Sequence, residues 1–66
     1  MKPLWSEAPV WAEYLAMDHS GGWWWFAKKP QYMPRLGIWE NQPGTKAEIA
    51  SVCDKMQASM TMEPRP

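Results

Sequence analysis

The stretch HSGGWWWFAKKP, residues 19–30, limits what this chain can become more than any other part of it. Side chains alternate along a strand, so a strand over WWWFA sets Trp23, Trp25 and Ala27 on one face and Trp24, Phe26 and Lys28 on the other. A small two-layer domain has one core for its sheet. At least one large ring therefore begins on the opposite side and must be covered by an arm, a loop or a second chain, or left open for a ligand. Size sharpens the problem, because six Trp, two Tyr and one Phe are carried by only 66 residues. A chain this short makes one domain at most, near the limit of self-sufficient folding, and each buried large ring removes roughly 150–250 Å² from water.

The double glycine ahead of the rings reads as the turn of a hairpin. Gly21 and Gly22 both tolerate positive φ, and Asp18 and Ser20 can bond to nearby backbone groups. The preceding VWAEYLAMD, residues 10–18, then supplies the first strand, although Trp11, Tyr14 and Leu15 also suit a helix. A two-residue and a three-residue turn pair the tryptophans with different partners, so the register stays open. Residues 1–9, MKPLWSEAP, read as an irregular arm punctuated by Pro3 and Pro9, with Leu4 and Trp5 folding back over the core.

KKPQYMPRLG, residues 28–37, is turn-rich, and LGIWE, residues 36–40, offers a third strand before the break at NQPG. Residues 45–60, TKAEIASVCDKMQASM, carry the pattern of a helix. Thr45 and Glu48 have capping-box spacing, and Ile49, Val52, Cys53, Met56 and Met60 form a stripe at helical period. TMEPRP, residues 61–66, reads as a fraying tail. The fold class predicted is α+β: an antiparallel hairpin or three-stranded sheet packed against one C-terminal helix, all in a single domain over residues 1–66.

Chemistry is sparse. His19 is the only histidine and Cys53 the only cysteine. The first reads as a turn residue, the second as part of an apolar stripe rather than an accessible thiol beside a positive charge. The carboxylates are scattered, and no HExxH, CxxC, calcium-loop or phosphate-loop pattern occurs. The expectation is a protein that is not an enzyme and uses no cofactor or metal. A lone cysteine fits a reducing compartment, and neither a leader-like apolar run nor a membrane-length stretch is present, so the reading is cytoplasmic with no membrane partner.

Seven Lys+Arg balance seven Asp+Glu, so no long-range field draws the chain to nucleic acid. A stacking platform remains conceivable locally, with the rings at 23–26 next to Lys28, Lys29 and Arg35. The same rings serve a protein interface with fewer charges, since Trp, Tyr and Arg dominate interface hot spots. The candidate partner-binding residues are Trp5, Trp11, Trp24 and Trp39, of which at least one is expected to be partly exposed, together with Lys28, Lys29 and Arg35. Met33, Met60 and Met62 offer adaptable contact surface.

WSEAPVWAEYLAMDHSGGWWWF, residues 5–26, resembles a signature of small tryptophan-rich proteins encoded by bacteriophages and prophages: a Trp-Ser-x-Ala-Pro segment, an aromatic strand, a Gly-containing turn and a Trp/Tyr-rich strand. The chain departs from it at Val10–Glu13, where that family carries a Gly-Ala-Thr-His-like run. The resemblance implies a place in a bacterial host's cytoplasm and supplies no catalytic residues. The expected function is that of a phage-type accessory protein binding another protein, one of the host, without turnover. The alternatives are a single-stranded nucleic-acid-binding module and a homodimer whose exposed rings complete its core.

Overall fold

The structure, a computed structural model, describes residues 2–52 and 61–66. It is a mostly β fold of two sheets, and this overturns the α+β expectation. Among the described residues six strands follow in order: β1 (Tyr14–Met17), β2 (Gly22–Phe26), β3 (Gln31–Met33), β4 (Ile38–Glu40), β5 (Ala47–Val52) and β6 (Glu63–Pro64). The helical turns among the described residues amount to one 3₁₀ turn, Trp5–Glu7.

The larger sheet has the order β5-β2-β1-β6, antiparallel throughout. Its centre is the hairpin, closed by a loop of His19, Ser20 and Gly21 between the Asp18 N–H and the Gly22 carbonyl, 3.0 Å apart. Gly21 sits at φ 91° and supplies the left-handed position that three-residue hairpin loops need. Gly22 does not share that role; it is the first residue of β2. Asp18 Oδ1 braces the loop, accepting from the Ser20 hydroxyl at 2.6 Å and from the amides of Ser20 and Gly22 at 3.1 and 3.2 Å. The register that results pairs Leu15 with Trp25 and Met17 with Trp23 on one face, and Tyr14 with Phe26 and Ala16 with Trp24 on the other.

Both faces are covered, by different parts of the chain. The first carries the core of Ala12, Leu15, Met17, Trp23 and Trp25, onto which Trp5, Ala8, Trp11 and Ala50 pack. The N-terminal arm thus folds back over this face, its Trp5 ring 5.0 Å from that of Trp25 and tilted by 57°. On the second face Ala16 and Phe26 are fully covered and Trp24 half-buried. Its lid is the second sheet, the β3–β4 hairpin, in which Tyr32 pairs with Trp39 and Met33 with Ile38. LGIWE is therefore a strand, but of a separate sheet, and its partner β3 lies inside the segment read as turns.

The predicted helix over residues 45–60 is replaced, as far as it is described, by β5; Cys53, Met56 and Met60 lie outside the described residues. The local signals were real but served other ends. The Thr45 hydroxyl lies 2.8 Å from Asn41 Oδ1 and 2.7 Å from the Gln42 carbonyl, so it holds the NQPG turn instead of capping a helix. β2 is an interior strand that needs hydrogen-bond partners along both edges, and Ile49 and Val52 are β-branched residues suited to giving them. β5 bends to do so: between Trp23 and Trp24 the register slips, leaving Ala50 as the extra residue of a bulge.

The arm and the last residues clasp one another. β6 lies along β1, and Thr61 Oγ1, buried, accepts from the Met17 amide at 2.9 Å and donates to its carbonyl at 3.1 Å. Arg65 Nη1 donates to the carbonyls of Pro9 and Ala12, and the guanidinium stands 5.5 Å over the Trp5 ring. Glu63 receives the Trp5 indole N–H at 2.7 Å and the Lys2 ammonium at 2.8 Å. Partial burial pushes the Glu63 carboxyl up, but the hydrogen bonds from Lys2 and Trp5 and the Lys2 charge together outweigh it and hold the group below its ordinary 4.5. A depressed carboxylate stabilises the fold above its unfolded value and loses that contribution as pH falls through its folded value. Resistance to urea is thus expected to decline below about pH 4.5, and the difference from Glu63→Gln to shrink towards zero over the same range. Equal stability of the two proteins at neutral pH would remove the clasp from the account. The effect is modest, because the Lys2 side chain is 50% exposed.

Candidate functional site

The two sheets do not close completely on each other. Between them lies a half-open cleft of about 190 Å³, walled by Trp24, Phe26, Ile38 and Trp39, floored by Ala16 and Ala47, with Asp18 and Asn41 the polar members of its lining among the described residues. Its position follows from the hairpin: Ala16 and Trp24 are cross-strand partners, so a small residue faces a large one and leaves a step in the sheet. The β3–β4 hairpin spans that step because its turn is tied to the first hairpin's loop. The Gly37 carbonyl accepts from the His19 amide at 2.7 Å, with His19 Nδ1 3.1 Å from the same oxygen.

The polar groups at the cleft differ in what they leave open. Asn41 is turned to Thr45, its amide N–H donating to the Thr45 carbonyl at 2.7 Å and its Oδ1 lying 2.8 Å from the Thr45 hydroxyl. Asp18 spends Oδ1 on its own loop, while Oδ2 makes no hydrogen bond among the described residues. The N–H edge of Trp24 turns towards that loop: Trp24 Nε1 and Asp18 Oδ1 each lie 3.4 Å from where a Gly22 side chain would begin. Ile49, cross-strand partner of Trp24, is 51% exposed and continues the apolar surface outward along β5.

Of the residues singled out in the sequence, the structure brings Trp24 and Trp39 together at the cleft and keeps Trp5, Trp11, Lys28, Lys29 and Arg35 out of its lining. All four candidate tryptophans are half-buried, in contrast with Trp23 and Trp25. Trp5 is consumed by the clasp with Glu63, Arg65 and Trp25. Trp11 packs on the core beneath Lys46, whose ammonium stands 5.5 Å from the ring centroid, beside a shallow notch edged by Glu48. Lys28 and Lys29 are exposed where β2 ends. Arg35 is exposed in the β3–β4 turn, which is tethered to the opposite end of the hairpin. A five-residue strand at about 3.3 Å per residue, roughly 16 Å, thus divides the lysines from Arg35.

Lys29 instead borders a second, open groove of about 480 Å³ with Tyr32, Trp39 and Met62. Tyr32 and Trp39 are packed on each other there, centroids 5.2 Å apart and planes tilted by 55°. Ala16, Asp18, Phe26, Ile38, Asn41 and Ala47 line the cleft without having been among the candidate partner-binding residues. Among the described residues no group of three or more His, Cys, Asp or Glu side chains is placed to hold a metal ion, and no helix is long and apolar enough to cross a membrane. Compared with known proteins, the chain matches no family model, no curated protein and no solved structure.

Proposed function

We propose that this protein works by occupancy, holding one side chain of a partner protein in the cleft between Trp24 and Trp39 without chemical turnover. The observation that carries the reading is the cleft itself: lined by apolar and aromatic side chains, half-open, and about 190 Å³. That volume lies below the roughly 300–1,000 Å³ of small-molecule sites and is close to the ~150 Å³ of a cavity that admits benzene. It suits a single inserted side chain, the geometry of an interface hot spot. Ile49 and the adjoining strand β5 supply apolar surface beside it. The resemblance of residues 5–26 to phage and prophage proteins makes a bacterial host protein the first partner to test. Nucleic-acid binding has less support, since the cations it needs are divided between two ends of the molecule.

The test uses immobilised protein and host lysate with two variants whose folds are checked by NMR. Trp24→Ala removes one wall, and Ala47→Phe fills the cleft from its floor while leaving both tryptophans in place. Wild type is expected to retain one host protein at about equal stoichiometry, and each variant to lose it at least tenfold. Retention by both variants, capture of nucleic acid that salt releases, or capture of nothing overturns the reading. Sedimentation showing that a second copy fills the cleft overturns it as well.

A further inference from the structure

We infer that the side chain this cleft takes is an arginine. The inference rests on the reading that the cleft holds a partner's side chain, and it adds which kind. Four features select the occupant. The walls include the rings of Trp24, Phe26 and Trp39, whose faces carry negative potential that attracts cations. Among the described residues Asp18 is the one charged member of the lining, and no described lysine or arginine joins it there. Asn41 is engaged by Thr45 through both its N–H and its oxygen, whereas Oδ2 of Asp18, the charged acceptor at the cleft, has no hydrogen-bond partner among the described residues. Finally, the volume of about 190 Å³ accommodates one long side chain and little more.

The alternatives each leave one of these features unmet. An aliphatic or phenyl anchor fills the volume but takes a carboxylate oxygen out of water with no donor to replace it, which is costly. A lysine ammonium answers the charge, but it is compact and strongly hydrated, and stacks poorly on a ring. A guanidinium is weakly hydrated, planar, able to stack on an indole and still donate in its plane to a carboxylate. Its methylene stem lies on apolar surface, which Ile38 and Phe26 provide.

The experiment follows the indole N–H signals of Trp24 and Trp39 by NMR while the folded protein is titrated with three probes: the acetylated methylamides of arginine, citrulline and leucine. Citrulline keeps arginine's shape and loses its charge. Arginine is expected to bind at least tenfold more tightly than citrulline or leucine, with both indoles shifting. Asp18→Asn is the second arm, because its amide oxygen can still accept from the Ser20 and Gly22 amides while the charge is gone. There the arginine preference should fall to less than threefold, with the spectrum otherwise that of a folded protein. Equal or tighter binding of leucine or citrulline overturns the arginine assignment and leaves the side-chain-binding reading standing. No shift of either indole by any probe overturns both. Should Asp18→Asn unfold the chain, the arginine preference of the wild-type protein at low and at high salt decides the point: a preference that weakens as salt screens the charge pair supports the assignment, and an unchanged preference overturns it.

Discussion

Trp23→Ala is expected to leave the chain without a stable fold at room temperature, whereas Trp24→Ala, one residue on, is expected to stay folded. Trp23 is 2% exposed and lies in the core formed with Leu15, Met17 and Trp25. Truncating a buried Trp to Ala costs about 3–5 kcal/mol in transfer and cavity terms. At about 0.05–0.15 kcal/mol per residue, a domain of 66 residues has roughly 3–10 kcal/mol in all. The loss is thus comparable with the whole stability. Trp24 points the other way, half-exposed in the cleft wall, and its removal widens a space already open to solvent. Urea titrations of the two variants, followed by amide dispersion in NMR, check the contrast. A cooperative transition for Trp23→Ala within about 1 kcal/mol of wild type would mean that the arm refills the core, and that the two faces are not separate in energy.

That contrast was partly legible in the sequence. Alternation alone assigns Trp23 and Trp25 to one face and Trp24 and Phe26 to the other, and the glycines with Asp18 and Ser20 mark the hairpin turn. What alternation leaves open is which face is the core and how the turn is built. The loop of three residues, His19 to Gly21, resolves both by setting Leu15 and Met17 opposite Trp25 and Trp23. The helix expected from residue 45 shows the opposite limit. Thr45, Glu48, Ile49 and Val52 fit a helix by spacing, yet Glu48, Ile49 and Val52 pair with a strand of tryptophans whose edge they satisfy, and Thr45 holds the turn before them. Local propensity is worth tenths of a kcal/mol per residue and yields to that demand.

The cleft was the least legible part, because it depends on contacts distant in sequence. Trp24 and Trp39 were each recognisable as surplus rings. Nothing near either residue says that they meet. Their meeting requires the β3–β4 hairpin to fold back onto the first hairpin, and the bond between His19 and Gly37, 18 residues apart, is what fastens it. Asp18 had an evident local task in its turn, which concealed that only one of its oxygens performs it. A residue with a sufficient structural explanation can still carry a free valence for a partner.

Gly37→Ala is expected to release this fastening and is the second large effect. Gly37 adopts φ +67°, and a methyl built there lies 2.9 Å from the Cβ, Cγ and Nδ1 of His19. The left-handed conformation costs a non-glycine residue about 1–2 kcal/mol, and relieving the overlap adds about 1 kcal/mol or more. The total is about 2–3 kcal/mol in equilibrium unfolding. The two components separate in a double-mutant cycle. His19→Ala keeps the Cβ that stands 2.9 Å away, so it should relieve little of the Gly37→Ala penalty. His19→Gly removes the whole contact and should leave only the conformational cost. Because the clash falls where the two hairpins are tied, the penalty should also appear as a looser cleft, with the Trp39 indole signal moving and the arginine probe binding more weakly. A Gly37→Ala protein of wild-type stability and unchanged Trp39 signal would mean that the lid is held by the Trp39 and Ile38 side chains, with the turn a bystander.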